Sequence, residues 1–163
     1  MKIRAAKLDD LQDITEIYNY AINKTVATFD TKQKSIDEQR KWFEKHGSKN
    51  PIIVAEDDEG VVGWAALTQY STKRAYSDTA EISLYVKEDR QGKGIGKKLI
   101  EEIVKEGKKA GLHALIARIT EGNKTSIYLH ESVGFTPVGI LKEVGFKFGK
   151  VLDVYLMQKV YKK

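Results

Sequence analysis

The sequence predicts a single α+β domain, and three observations carry that reading. Helical and strand-like segments follow one another along 163 residues as strand, two helices, three strands, helix, strand, helix, two strands. No internal repeat, low-complexity stretch or linker interrupts them. A glycine-rich turn, Arg90-Gln91-Gly92-Lys93-Gly94-Ile95-Gly96-Lys97, leaves a strand and enters an amphipathic helix. The length suits one domain with a core of its own.

Each element has a local reason. Lys2 to Ala6 reads as a short strand. Asp9 or Asp10 is expected to cap a helix whose stripe is Leu11, Ile14, Ile17, Tyr18 and Ala21. Ser35-Ile36-Asp37-Glu38 has the form of a capping box and opens a second helix through Trp42 and Phe43. The loop between these helices carries Phe29. Ile52 to Glu56 and Val61 to Tyr70 read as two strands around Asp57-Asp58-Glu59-Gly60, a hairpin-turn composition. After a second loop, Thr79 to Val86 sets Ile82, Leu84 and Val86 on one side and Glu81, Ser83 and Tyr85 on the other.

The helix after the glycine-rich turn repeats Ile95, Leu99, Ile100, Ile103 and Val104, with Gly111 as its C-terminal cap. His113 to Ile119 is the next strand, and Asn123 or Thr125 opens a short helix ending at Gly134. Strands around Thr136 to Lys142 and Val151 to Val160 complete the chain.

Composition narrows the function. Cysteine is absent, which excludes disulfides, thiolate metal sites and a cysteine nucleophile. The N-terminus lacks a signal-peptide pattern, and no segment approaches the roughly 20 apolar residues of a membrane span. The expectation is a soluble, cytoplasmic protein, so the sequons at Asn23 and Asn123 read as chance matches. The net charge of +5 comes from dispersed lysines, which read first as solvated surface. It also suits a ligand with several phosphates.

Alternate glycines at 92, 94 and 96 let the backbone turn with its amides exposed. The first N–H groups of the helix have no internal partner, and with the helix dipole they make an anion site. A dinucleotide fingerprint needs its third glycine one residue later, and a P-loop needs four residues between its glycines. Neither fits. A turn without a ligand remains the bland alternative.

Gln91-x-x-Gly94-x-Gly96, after a strand and opening a helix, resembles the acetyl-CoA signature of the GNAT superfamily of N-acetyltransferases. The order of elements is similar to that fold over essentially the whole chain. The resemblance implies a mixed, twisted sheet with helices on both faces, split after the central strand. It implies that the backbone of Leu84, Tyr85 and Val86 pairs with the pantetheine arm of acetyl-CoA. The amides of Gly92, Lys93, Gly94, Ile95, Gly96 and Lys97 would hold the pyrophosphate, and Asn123 would contact the cofactor from the other side. No metal site is visible in the sequence.

Acyl transfer to an amine needs a base for the ammonium, stabilisation of a developing oxyanion and a proton for the leaving thiolate. In Leu129-His130-Glu131-Ser132-Val133-Gly134-Phe135, His130 stands where many GNAT enzymes carry a tyrosine. That feature resembles the phosphinothricin and methionine sulfoximine acetyltransferase branch. So do Glu81 on the central strand and the pattern Gly145-x-Lys147-x-Gly149-x-x-x-Asp153-Val154. The resemblance implies direct attack of a primary amine on acetyl-CoA, with Glu81 as base and His130 relaying or donating a proton. Backbone N–H groups near Leu84 to Val86 are the implied oxyanion donors.

Each residue also has an ordinary reading. Glu81 alone is a solvent-facing charge, His130 a packed histidine, Tyr128 a core residue or reserve donor, and Asp153 a turn anchor or subunit contact. The loops carrying Phe29 and Lys73-Arg74-Ala75-Tyr76 are expected to overhang the acetyl group. Phe29 and Tyr76 would pack a short side chain, while Arg74 and Lys73 would bind its anionic groups. The expected substrate is a small amino-acid analogue of the phosphinothricin or methionine sulfoximine type, and the resemblance implies a homodimer. Another amine, a protein N-terminus, or a non-catalytic acyl-CoA sensor are the alternatives. A nucleic-acid-binding domain would interleave aromatics with Lys and Arg on a sheet face, and that pattern is absent.

Overall fold

The computed structural model describes residues 1–162. Strands β1 (Lys2–Ala5), β2 (Ile52–Asp57), β3 (Gly60–Gln69), β4 (Thr79–Val86), β5 (Ala114–Thr120), β6 (Thr136–Lys147) and β7 (Lys150–Val160) form one sheet. Their order is β1-β2-β3-β4-β5-β7-β6. The β4–β5 pair is parallel and every other pair antiparallel, so the sheet is mixed.

Helices α1 (Leu11–Lys24) and α2 (Ile36–Glu44) cover one face, and α3 (Ile95–Lys109) and α4 (Lys124–Ser132) the other. Strand alternation explains both cores. Ile53, Ala65, Leu67, Ile82, Leu115 and Ala117 meet the α3 stripe of Leu99, Ile100 and Ile103. Val54, Trp64 and Ala66 meet Ile14 and Ile17 of α1, with Trp42 and Phe43 of α2 against them.

Local signals behave as their chemistry dictates, with two exceptions, besides Tyr128, expected in the core but exposed on α4. Ser35 and Glu38 form the reciprocal cap of α2, at 3.1 and 3.2 Å. Asp10, by contrast, precedes α1 without capping it. Its carboxylate takes the Lys7 N–H at 2.8 Å and both terminal nitrogens of Arg4 at 2.7 and 2.8 Å. The Arg4 guanidinium holds the Asp10 carboxyl below the usual range.

The second exception is β6, which runs on to Lys147 instead of ending at Lys142. A bulge between Leu141 and Gly145 breaks its alternation, with Glu143 at φ 54°. Asp153 supports that bulge by accepting from the Glu143 N–H at 2.8 Å and from Lys142 at 3.3 Å.

Candidate active site

The sheet comes apart at one place. β4 pairs with β3 along its length, from Gln69↔Ala80 to Gly63↔Val86. With β5 it pairs only at Thr79, Ala80 and Glu81, against Ala114, Leu115 and Ile116. Beyond Glu81 the two strands separate, and the β5-facing backbone edge of the following residues lies open to a ligand. A cavity of about 810 Å³ occupies the gap and continues beneath α1 and α2.

Six of the expected site residues line it: Phe29, Glu81, Leu84, Tyr85, Asn123 and His130. Glu81 sits at the fork, where its oxygens accept from Arg118 Nε at 2.7 Å and Arg118 Nη2 at 2.8 Å. His130 is 5% exposed on α4, with its ring edge-on to Phe135 at 5.0 Å. Its Nδ1 lies 2.7 Å from the Ser126 carbonyl, which can only accept, so Nδ1 carries the proton. Burial pushes the imidazole below its ordinary pKa and keeps it neutral at pH 7, with Nε2 as its acceptor. Asn123 caps α4 by accepting the Ser126 N–H at 3.1 Å. Burial pushes the Tyr85 phenol up to about 12, so it too remains neutral.

The glycine-rich turn leaves backbone amides open to a ligand. Arg90 anchors its start through Asp57 at 2.9 Å, and Gln91 donates to the Val86 carbonyl at 3.2 Å. Gly92 and Gly94 have φ of 77° and 82°, and no atom lies within 4 Å of a Cβ built at either. The first intrahelical bond of α3 runs from Lys98 N–H to the Gly94 carbonyl. The amides of Ile95, Gly96 and Lys97 therefore have no partner within the helix. Lys93 and Lys97 are exposed beside them, whereas the Ile95 side chain is buried and can offer only its N–H. This set fits a pyrophosphate in charge and in backbone access. The Val86 side chain packs on the core and lies outside the cavity wall.

The Phe29 loop is pinned from several sides. Lys147 donates to the Thr28 carbonyl at 2.7 Å, and Thr120 to that of Val26 at 2.6 Å. A Cβ at Gly145 would stand 2.1 Å from the Phe29 ring, so only glycine leaves that ring its position. Gly145 and Lys147 thus share a structural explanation, in tying the hairpin to the loop that walls the cavity, while Asp153 holds the bulge of the hairpin itself.

Lys73, Arg74 and Tyr76 are not brought to the cavity wall. They occupy an exposed helical turn at Arg74–Tyr76, with Tyr76 edge-on to Tyr70 at 5.2 Å. Sequence reasoning instead overlooked Arg118. A lone arginine on an otherwise apolar strand, alternating with core residues Leu115, Ala117 and Ile119, was the available signal. Among the described residues no group of three or more His, Cys, Asp and Glu is arranged for a metal ion, and no helix is long and apolar enough to cross a membrane.

Known proteins resemble this chain over most of its length. The acetyltransferase (GNAT) domain family matches residues 3–156. The L-amino acid N-acyltransferase MnaT of Escherichia coli is 36% identical, over 97% of this chain and 92% of its own. The L-methionine sulfoximine/L-methionine sulfone acetyltransferase of Salmonella typhimurium is also 36% identical, over 97% and 93%. Among solved structures, a GNAT superfamily phosphinothricin acetyltransferase from Sinorhizobium meliloti, in complex with acetyl-CoA, superposes with a TM-score of 0.94. It is 36% identical, with 98% of this chain and 87% of that chain covered.

Proposed function

The chain belongs to the GNAT acetyltransferase family and is an acetyl-CoA-dependent N-acetyltransferase, and from that premise we propose that it acetylates the primary amine of a small amino acid of the methionine sulfoximine or phosphinothricin type. The observation that carries this reading is the position of Glu81, whose carboxylate sits where β4 leaves β5. An amine held there lies beside the strand edge expected to receive the acyl donor.

Acetyl-CoA supplies an activated acetyl group on a thioester, which passes to the amine with release of CoA. The open edge at Leu84, Tyr85 and Val86 would hold its pantetheine arm, the amides of residues 92 to 97 its pyrophosphate, and Asn123 its opposite side. The chain's own residues handle the protons. Glu81 takes the ammonium proton, directly or through a water, because each carboxylate oxygen keeps acceptor capacity beyond its bond to Arg118. Backbone N–H groups around Leu84 to Val86 stabilise the charge that develops on oxygen. His130 enters with Nε2 as an acceptor, which suits relay of a proton more than its outright donation.

The experiment is CoA release against a panel of amino acids, including methionine sulfoximine and phosphinothricin. Their turnover should exceed that of amines lacking a carboxylate by at least about tenfold, the scale expected when a charged contact is lost. Equal turnover across the panel overturns the amino-acid reading.

The protein is also proposed to act as a homodimer. Edge strand β6 and its neighbour β7 expose Val138, Ile140, Val144, Val151 and Phe146, the last at 70%. A long apolar edge of this kind calls for a partner. Light scattering should give twice the chain mass at micromolar concentration, and a monomer there counts against the assembly.

A further inference from the structure

Opposite charges face each other at the fork, and the substrate proposed above carries the complementary pair. Among the described residues lining the cavity, the arginine and lysine side chains are Arg118 and Lys34. Lys34 already has Asp30 at 3.8 Å. Arg118 presents Nε and Nη2 side-on to both oxygens of Glu81. The Arg118 side chain is 60% exposed and that of Glu81 24%. A pair so open to water adds little to stability, so the fold does not explain why it is there.

An α-amino acid is an ion pair of its own, with ammonium and carboxylate on one carbon. Laid across the fork, it sets its ammonium on Glu81 and its carboxylate within reach of the same guanidinium. Guanidinium recognises carboxylate through paired N–H donors, so the incoming carboxylate can replace Glu81 without loss of hydrogen bonds. That exchange also frees Glu81 oxygens for the ammonium proton. An amine with no carboxylate gets no such compensation, and it must compete with Arg118 for the base. An amine remote from its carboxylate cannot satisfy both partners.

We propose that Arg118 and Glu81 together form the receptor for the zwitterionic α-amino acid, with Arg118 as the residue that reads the carboxylate. This rests on the amino-acid reading of the site. It assigns to a side chain on β5 the role expected, from sequence, of Arg74 in the β3–β4 loop.

The test compares L-methionine sulfone with its methyl ester, which keeps the size and the amine but cancels the negative charge. In the wild-type protein kcat/KM should favour the free acid. In Arg118→Met the acid-to-ester ratio should fall at least about tenfold, chiefly through KM for the acid. Arg118→Lys, a point charge without the fork, should lie between the two. An unchanged ratio, or an equal loss with acid and ester, overturns the assignment. Calorimetric titration of both compounds into protein saturated with CoA reads recognition without chemistry. If binding discriminates acid from ester through Arg118 while no turnover occurs, the receptor stands and the reading of these amino acids as acetyl acceptors falls. Binding that ignores the carboxylate overturns the receptor whatever the turnover.

Discussion

Replacing Glu81 with glutamine is expected to lower kcat by roughly 10²–10⁴-fold, the range for loss of a general base. Glutamine keeps the length and one accepting oxygen, so it can keep one of the two hydrogen bonds from Arg118, now 2.7 and 2.8 Å. What it cannot do is hold a proton. The effect should therefore fall on kcat, with KM for acetyl-CoA changed little, because the glycine-rich turn lies on another part of the chain. Raising the pH should recover part of the lost rate, as more of the amine arrives already deprotonated. Steady-state kinetics from neutral to alkaline pH checks both parts. Normal turnover by Glu81→Gln at neutral pH would falsify its role as base.

Gly94→Val is expected to weaken acetyl-CoA binding by at least about tenfold, with the fold intact. Gly94 is the N-cap of α3 at φ 82°, a left-handed conformation that costs an ordinary residue about 1–2 kcal/mol and a β-branched one more. No atom lies within 4 Å of a Cβ built there, so the valine meets no protein neighbour. It instead fills space in front of the free amides of Ile95, Gly96 and Lys97, and its strain pulls those amides out of alignment. Ile95, Leu99 and Ile100 remain buried behind the turn and should hold the helix. Calorimetry reads the affinity and circular dichroism the fold. Unchanged affinity in a folded variant removes the pyrophosphate from this turn.

Much of the architecture was legible because it depends on short-range periodicity. The α3 stripe from Ile95 to Val104 and the alternation from Thr79 to Val86 are local patterns that burial on one face dictates. The turn at Gly92 to Gly96 was readable because the positive φ at Gly92 and Gly94 strongly favours glycine, a preference local to the backbone. Where a residue had two possible partners, local reading failed. Asp10 looked like a helix cap, but Arg4, six residues earlier and brought close by β1, took its carboxylate. The extension of β6 was hidden because its bulge depends on Asp153, ten residues beyond Glu143.

The same division holds within the site. Sequence alone determined that this chain has a strand, a glycine-rich turn and a helix suited to a phosphate-bearing ligand, with an acid on that strand. A helix N-terminus and a strand face are properties of contiguous residues, so no further information was needed. Only the tertiary structure decided which charges meet. Glu81 and Arg118 are 37 positions apart, and they pair because β4 and β5 run parallel for three residues before parting. Arg74 is nearer to Glu81 in sequence, yet its exposed turn lies off the cavity wall. Coulomb attraction falls with distance in space and is blind to distance along the chain, so the partner of a charged side chain is settled by strand register.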